Sequence, residues 1–140
     1  MSPDIYYSLY SLDTVFRKKW LPNAIDPYIG LDMLTNWQQR WQRKPKIHYA
    51  FIENENDSEN DILAICDEIS VRQMLVDINI VRYNPFSERY GKESSMAVIE
   101  RNQQLFQAML PDSNVNIITK VGVDVKASCG MFVSNRDAQR

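Results

Sequence analysis

Two cysteines, one histidine and a few polar residues at strand ends are where this 140-residue sequence could do chemistry. Cys129 lies in Gly122-Val123-Asp124-Val125-Lys126-Ala127-Ser128-Cys129-Gly130. A thiolate is a strong nucleophile, a nearby lysine favours it, and glycine lets the backbone approach a cofactor closely. The same residue also reads as a small buried hydrophobe, the state of most free cysteines. Cys66 sits among Ile62, Leu63, Ile65 and Ile69, so core packing is expected there. His48 has no second His or Cys at ligand spacing and reads as structural, or as a minor pocket residue. Asn84 precedes Pro85 at the end of an alternating apolar run. It is either a turn residue or a polar group at a strand's C-terminal end, where α/β barrels collect ligands. Trp37 and Trp41 could stack on bases, but core packing against a sheet is the expectation. Arg17-Lys18-Lys19 and the stretch Arg40 to Lys46 are the basic concentrations, either a phosphate-contacting rim or solvated helix ends. The acidic stretch Glu53 to Asp61 reads as a solvated loop.

The elements that must position these residues follow from apolar spacing. Strands are predicted over Ile5 to Tyr10, Lys46 to Ile52, Val76 to Tyr83 and Val115 to Lys120. Asp13 to Lys19 could form a helical turn or two before Pro22, and Asp26-Pro27 signals a turn. Leu31, Leu34, Trp37 and Trp41 recur at spacings of three and four, the stripe of a helix that ends before Pro45. A further helix carries Ile62, Ile65 and Ile69 on one face, with Asp57 or Ser58 as its cap. Ser94 to Leu110 is predicted as the longest helix. Strands alternating with helix-length connectors imply an α/β fold with parallel strands and right-handed crossovers. Four strands are too few to close a (β/α)₈ barrel, so the unit is expected to be a partial barrel or a small open sheet.

A hydrophobic fraction of 44% and a charged fraction of 24% are those of a globular protein, and residues 1–140 are expected to form a single domain. The formal net charge of -2 gives no general nucleic-acid footprint, so RNA binding would need a local basic patch or a partner chain. No stretch approaches a membrane-spanning length, and two distant cysteines make no disulfide framework; a soluble protein in a reducing cytoplasm is the expectation.

Several motifs, taken in order, resemble one family. Tyr7-Ser8-Leu9-Tyr10 stands where that family has SLHA, and Glu53-Asn54-Glu55-Asn56-Asp57-Ser58 resembles its xGVNDS loop. Val81-Arg82-Tyr83-Asn84-Pro85-Phe86 is similar to its NPF element, continued by Tyr90-Gly91-Lys92-Glu93-Ser94-Ser95. The segment from Gly122 to Gly130 resembles GxDIxAACGQL. These are motifs of the radical S-adenosylmethionine (SAM) RNA adenine methyltransferases of the RlmN and Cfr type, which methylate C2 or C8 of adenine. The resemblance implies the second half of a radical-SAM (β/α) barrel with roughly four strands and three intervening helices. It implies Cys129 as the methyl-carrying cysteine, with Ser8, Leu9, Tyr10 and Asn84 contacting SAM and no metal ligand in this chain. The family's CxxxCxxC motif, which holds a [4Fe–4S] cluster, has no counterpart here, nor do its GEP segment and resolving cysteine. Tyr10 replaces the family histidine and Met131 the glutamine after Cys-Gly. A complementary N-terminal half carrying the cluster is therefore implied as partner, with ribosomal RNA or tRNA as substrate and no membrane. The rival reading is a cluster-less, non-catalytic remnant that binds RNA or protein, and a third is a small α/β interaction module of shared ancestry.

Overall fold

Four short polar side chains decide where the helices begin. In the computed structural model, which describes residues 4–83 and 91–118, Asp13 accepts a hydrogen bond from the Phe16 amide at 3.0 Å and starts α1 (Thr14–Trp20). Asp26 accepts from Tyr28 and Ile29, and Pro27 takes the first position of α2 (Pro27–Trp41), where its missing N–H costs nothing. Asp26-Pro27, expected as a turn, is thus a helix start. Ser58 opens α3 (Glu59–Val71) with a capping box, its hydroxyl taking the Asp61 amide while the Asp61 carboxylate takes the Ser58 amide. Ser95 caps α4 (Met96–Met109) by accepting from Val98. Because α2 begins at its cap rather than at Leu31, its 15 residues exceed the 14 of α4, which was expected to be the longest.

Strands β1 (Tyr6–Ser8), β2 (Lys46–Tyr49), β3 (Asp77–Ile80) and β4 (Val115–Ile117) form one parallel sheet in the order β1-β2-β3-β4. The expected α/β alternation is present, with α1 added as a short extra helix after β1. Strands are shorter than the apolar runs because the chain leaves the ladder for other partners. The Ile52 amide bonds the Asn56 side chain, and Glu53 bonds the Lys92 carbonyl.

Alternation sorts the strand residues onto two faces. Leu9, Ile47, Tyr49, Ile78, Ile80 and Val115 are buried against Leu31 and Leu34 of α2, Ile62, Ile65 and Ile69 of α3, and Ile99 and Phe106 of α4. Tyr6, Ser8, Lys46, His48, Asp77, Asn79 and Asn116 point the other way and belong to neither core cluster. Trp37 and Trp41 do not complete the core stripe as expected. Trp41 is 41% exposed, and the Arg40 guanidinium lies 5.2 Å from its ring centroid. A 15-residue helix is about 22 Å long while a four-residue strand covers about 13 Å, so the last turn of α2 overshoots the sheet.

Among the described residues, the outer edges of β1 and β4 have no strand partner, and the Ser8–His48–Asn79 side is covered only at its C-terminal end, where the short α1 packs with Tyr10, Ala50 and Val81. Parallel sheets are almost always covered on both faces, and open edges template association. The 140-residue chain alone is therefore expected to self-associate; a compact monomer in sedimentation at about millimolar concentration would contradict this.

Candidate functional site

Ligands of parallel α/β folds gather at the C-terminal ends of the strands, and here that end is built around the exit from β1. Leu9 is fully buried toward the helices, its amide bonded to the His48 carbonyl. Tyr10 then turns in the left-handed region at φ 60°, costly for a residue with a Cβ, and is 1% exposed. Two side chains hold this turn. Arg17 is buried; its guanidinium donates to the carbonyls of Leu9, Ser11 and Ile25 and to the Tyr7 hydroxyl. Asn56, fully buried, donates to the carbonyls of Tyr10 at 2.7 Å and Ala50 at 2.9 Å and accepts from the Ile52 amide at 2.8 Å. The Tyr49 hydroxyl completes the knot by donating to the Asn56 carbonyl. Arg17 is thus neither a phosphate rim nor a solvated helix end, though Lys18 and Lys19 beside it are exposed. Nor is Glu53 to Asp61 wholly a solvated loop, because Asn56 is its buried pin.

Over this knot lies a second apolar cluster in which Phe16, Trp20 and Leu21 pack with Tyr10, Ala50, Ile52, Val81 and Tyr83. Gly91, at φ 87°, passes so close that a Cβ would stand 2.8 Å from Ile52 and 3.0 Å from Trp20. The chain on either side of residues 84–90 is tied together. Arg82 binds Glu93 through two hydrogen bonds of 2.7 and 2.8 Å, and Glu93 also accepts the Tyr83 amide. That pairing raises the Arg82 pKa, chiefly through its hydrogen bonds to Glu93.

One pleat below the knot, Ser8, His48, Asn79 and Asn116 are register partners from strand to strand. They form a polar row on the face opposite the main core. Burial lowers the His48 pKa, so its imidazole is neutral at pH 7. Below them Tyr6 meets His48 edge-on at 5.0 Å, and Lys46 faces Asp77 at 3.9 Å.

Of the expected site residues, the structure brings Ser8 to the polar row, Tyr10 to the knot and Leu9 to the core behind it. Asn84 and Cys129 lie outside the described residues. Asn56, Asn79 and Asn116 went unremarked as site residues in the sequence, and Arg17 was read only as part of a basic cluster; the in-register polar positions of alternating strands were the signal for Asn79 and Asn116.

Cys66 packs in the core as expected, 1% exposed. Burial pushes its thiol up to about 12, with Asp67 adding to the shift. Such a thiol does not fit a thiolate ligand of an iron–sulfur cluster, and among the described residues no group of three His, Cys, Asp or Glu could hold a metal. The folded chain keeps the Cys66 proton between about pH 9 and 12 while the unfolded chain loses it. The thiol's contribution to stability is therefore complete below pH 9 and falls as pH rises through that window. Denaturant titrations at pH 8 and 10 should show a smaller loss in Cys66→Ala than in the parent chain; equal losses would contradict the assignment. No helix among the described residues is long and apolar enough to cross a membrane.

No protein-family model matches the chain. A curated relative from Enterococcus faecalis, named as a dual-specificity RNA methyltransferase RlmN, is 24% identical over 137 residues, 95% of this chain and 34% of its own length. The large-subunit ribosomal RNA methyltransferase Cfr of Bacillus velezensis is 27% identical over 140 residues, 94% of this chain and 39% of its own. The chain resembles the C-terminal part of the RlmN and Cfr RNA methyltransferases. It spans about a third of the length of these relatives. The fold agrees: a radical SAM methyltransferase from Sphaerobacter thermophilus superposes with a TM-score of 0.72 at 22% identity, covering 93% of this chain and 38% of that one. The four-stranded parallel sheet therefore shares its fold with part of that protein, as the motifs implied.

Proposed function

We propose that this chain is the C-terminal portion of a radical SAM RNA adenine methyltransferase. It supplies the methyl-carrying Cys129 and part of the SAM pocket, with Ser8 and Asn84 as contacts and Tyr10 and Leu9 fixing the strand end beside them. The cluster would come from a complementary N-terminal half, and the setting is cytoplasmic. SAM would supply the methyl group; this chain's part is a thiolate at position 129 able to take it from the sulfonium by displacement. The observation that carries the reading is likeness to RlmN and Cfr along 95% and 94% of the chain. The test is to combine the chain with the cluster-bearing half of an RlmN relative, SAM and ribosomal RNA or tRNA, and to look for methyladenine by mass spectrometry. RNA unmodified by an assembled, cluster-loaded complex would overturn it.

One observation favours the second reading, a non-catalytic binding remnant. Tyr10, which replaces the family histidine, is walled in by Ala50, Val81 and the α1 aromatics. If a Tyr10→His chain methylates in that complex where the parent does not, the parent is the remnant.

A further inference from the structure

We propose that the open edge of β1 and the outer flank of α2 form one docking surface for a strand–helix unit of the complementary N-terminal half. This rests on the functional reading above and extends it to the contacts through which the two halves would meet. The backbone part comes from β1. In a parallel ladder the N–H and C=O of one residue point to the same side. The Ile5 carbonyl accepts from the Lys46 amide and the Leu9 amide donates to the His48 carbonyl, so the odd-numbered residues serve β2. Tyr6 and Ser8 therefore direct their N–H and C=O groups outward, where no described strand receives them.

The side-chain part comes from α2. Ile29, Met33, Trp37 and Trp41 recur every four residues and make a ridge of the kind that a second helix packs against. Ile29 is 52% exposed and Met33 58%, and neither belongs to a core cluster. Ile25, just before the helix cap, is exposed too and extends the row. What α2 touches fixes the side on which the row lies. Asp32 accepts from Arg72 and Thr35 meets the Met74 sulfur, so that flank faces the end of α3. Gly30 lies so close to β1 that a Cβ would stand 2.5 Å from the Tyr7 hydroxyl oxygen. At about 100° per residue, Met33, Trp37 and Trp41 fall on the Gly30 flank, away from Asp32 and Thr35. The row thus runs beside the free edge of the sheet.

The topology selects the occupant. Helices α2, α3 and α4 all cover one face, each connecting two neighbouring strands. A right-handed unit preceding β1 would pair its strand with Tyr6 and Ser8 and lay its helix over the new junction, against the α2 row. This chain spans 34% and 39% of the two curated relatives, and its likeness to their C-terminal part puts most of their remaining length before β1. A second copy fits worse. Its β4 edge would meet β1, but α4 connects β3 and β4, so no described helix would cover the β4–β1 junction and the row would stay in water. An exposed apolar row marks an association site, and an unpaired strand edge supplies the hydrogen bonds that orient the partner.

The probe is the cluster-loaded N-terminal portion of the Enterococcus faecalis relative, with that relative's own C-terminal part as positive control. The full 140-residue chain should sediment with it as a one-to-one complex and lose its self-association. Met33→Glu sets a charge in the middle of the row and should weaken assembly about tenfold or more, with an unchanged circular dichroism spectrum. Tyr6→Pro removes an outward N–H and should weaken it about as much, whereas Tyr6→Ala keeps that N–H and should bind as the parent does. Val71→Glu, at an exposed apolar position on α3 outside the surface, should also bind as the parent does. If the control pair assembles and this chain does not, or if Met33→Glu and Tyr6→Pro both bind like the parent, the proposal fails. A discrete dimer of this chain that Met33→Glu breaks and the N-terminal portion does not displace would make a second copy the occupant and overturn it as well. Assembly through this surface with RNA left unmethylated would keep the surface and remove the catalytic reading. Methylation by a complex indifferent to both variants would do the reverse.

Discussion

Replacing Cys129 by alanine is expected to abolish RNA methylation by the reconstituted complex while leaving the fold intact. Without a nucleophile no methyl can be parked on the protein, so turnover should fall at least about a thousandfold, as when other covalent nucleophiles are removed. The contrast with Cys66 makes the result specific. Cys66 sits 1% exposed among Ile62, Ile65 and Ile69, with its thiol pushed up to about 12, so at neutral pH it has almost no thiolate to offer. Cys129 stands in a sequence of opposite character, between glycines and three residues from Lys126. Peptide mass spectrometry after incubation with SAM should find one added methyl at Cys129 and none at Cys66. Cys66→Ala should lower stability by about 1–2 kcal/mol, the range for deleting a small core group, and leave turnover unchanged. An unmodified Cys129 with full activity in the alanine variant would remove the central residue of this reading.

Much of the fold was legible because apolar alternation and helix caps are local. The four strands, their parallel order and the Ile62–Ile65–Ile69 face of α3 all follow from spacing, and Ser58 follows from its capping chemistry. The errors share one cause: each depended on a partner outside the residue's own helix or strand. Trp41 continues the helical stripe perfectly, yet the sheet stops short of it. Arg17 looks no different from Lys18 and Lys19, and only the carbonyls of the β1–α1 turn and of Ile25 make it a buried clamp. The motif reading reached Ser8, Leu9 and Tyr10 as a unit, whereas the backbone divides them among the polar row, the main core and the left-handed turn. Asn79 was hidden within a plain alternating run, and its place beside His48 emerges only from the register.

Asn56 should be the most sensitive polar position in the described fold. Its side chain closes three hydrogen bonds of 2.7, 2.8 and 2.9 Å to the backbone of Tyr10, Ile52 and Ala50, with no solvent access. Asn56→Ala leaves an amide and two carbonyls without partners, each worth about 1–3 kcal/mol when buried. The expected loss is about 3–5 kcal/mol, a large part of the 5–15 kcal/mol that holds a typical domain. At about 2–4 °C per kcal/mol for a chain of this size, the melting temperature should fall by about 10 °C or more. Asn56→Asp is the sharper test, because it changes almost no volume. It keeps the acceptor for Ile52 but turns a negative oxygen toward two carbonyls that need a donor, so at pH 7 it should cost at least as much as alanine. A carboxyl buried there has its folded pKa raised above the ordinary value of about 3.9. Its penalty should therefore shrink as pH falls toward 4, since the protonated group again has a hydrogen to donate. Chemical denaturation of both variants at pH 7 and pH 5 would decide. If Asn56→Asp were as stable as the parent chain at pH 7, the left-handed turn at Tyr10 would not depend on the knot, and the strand end that carries Ser8 would need another anchor.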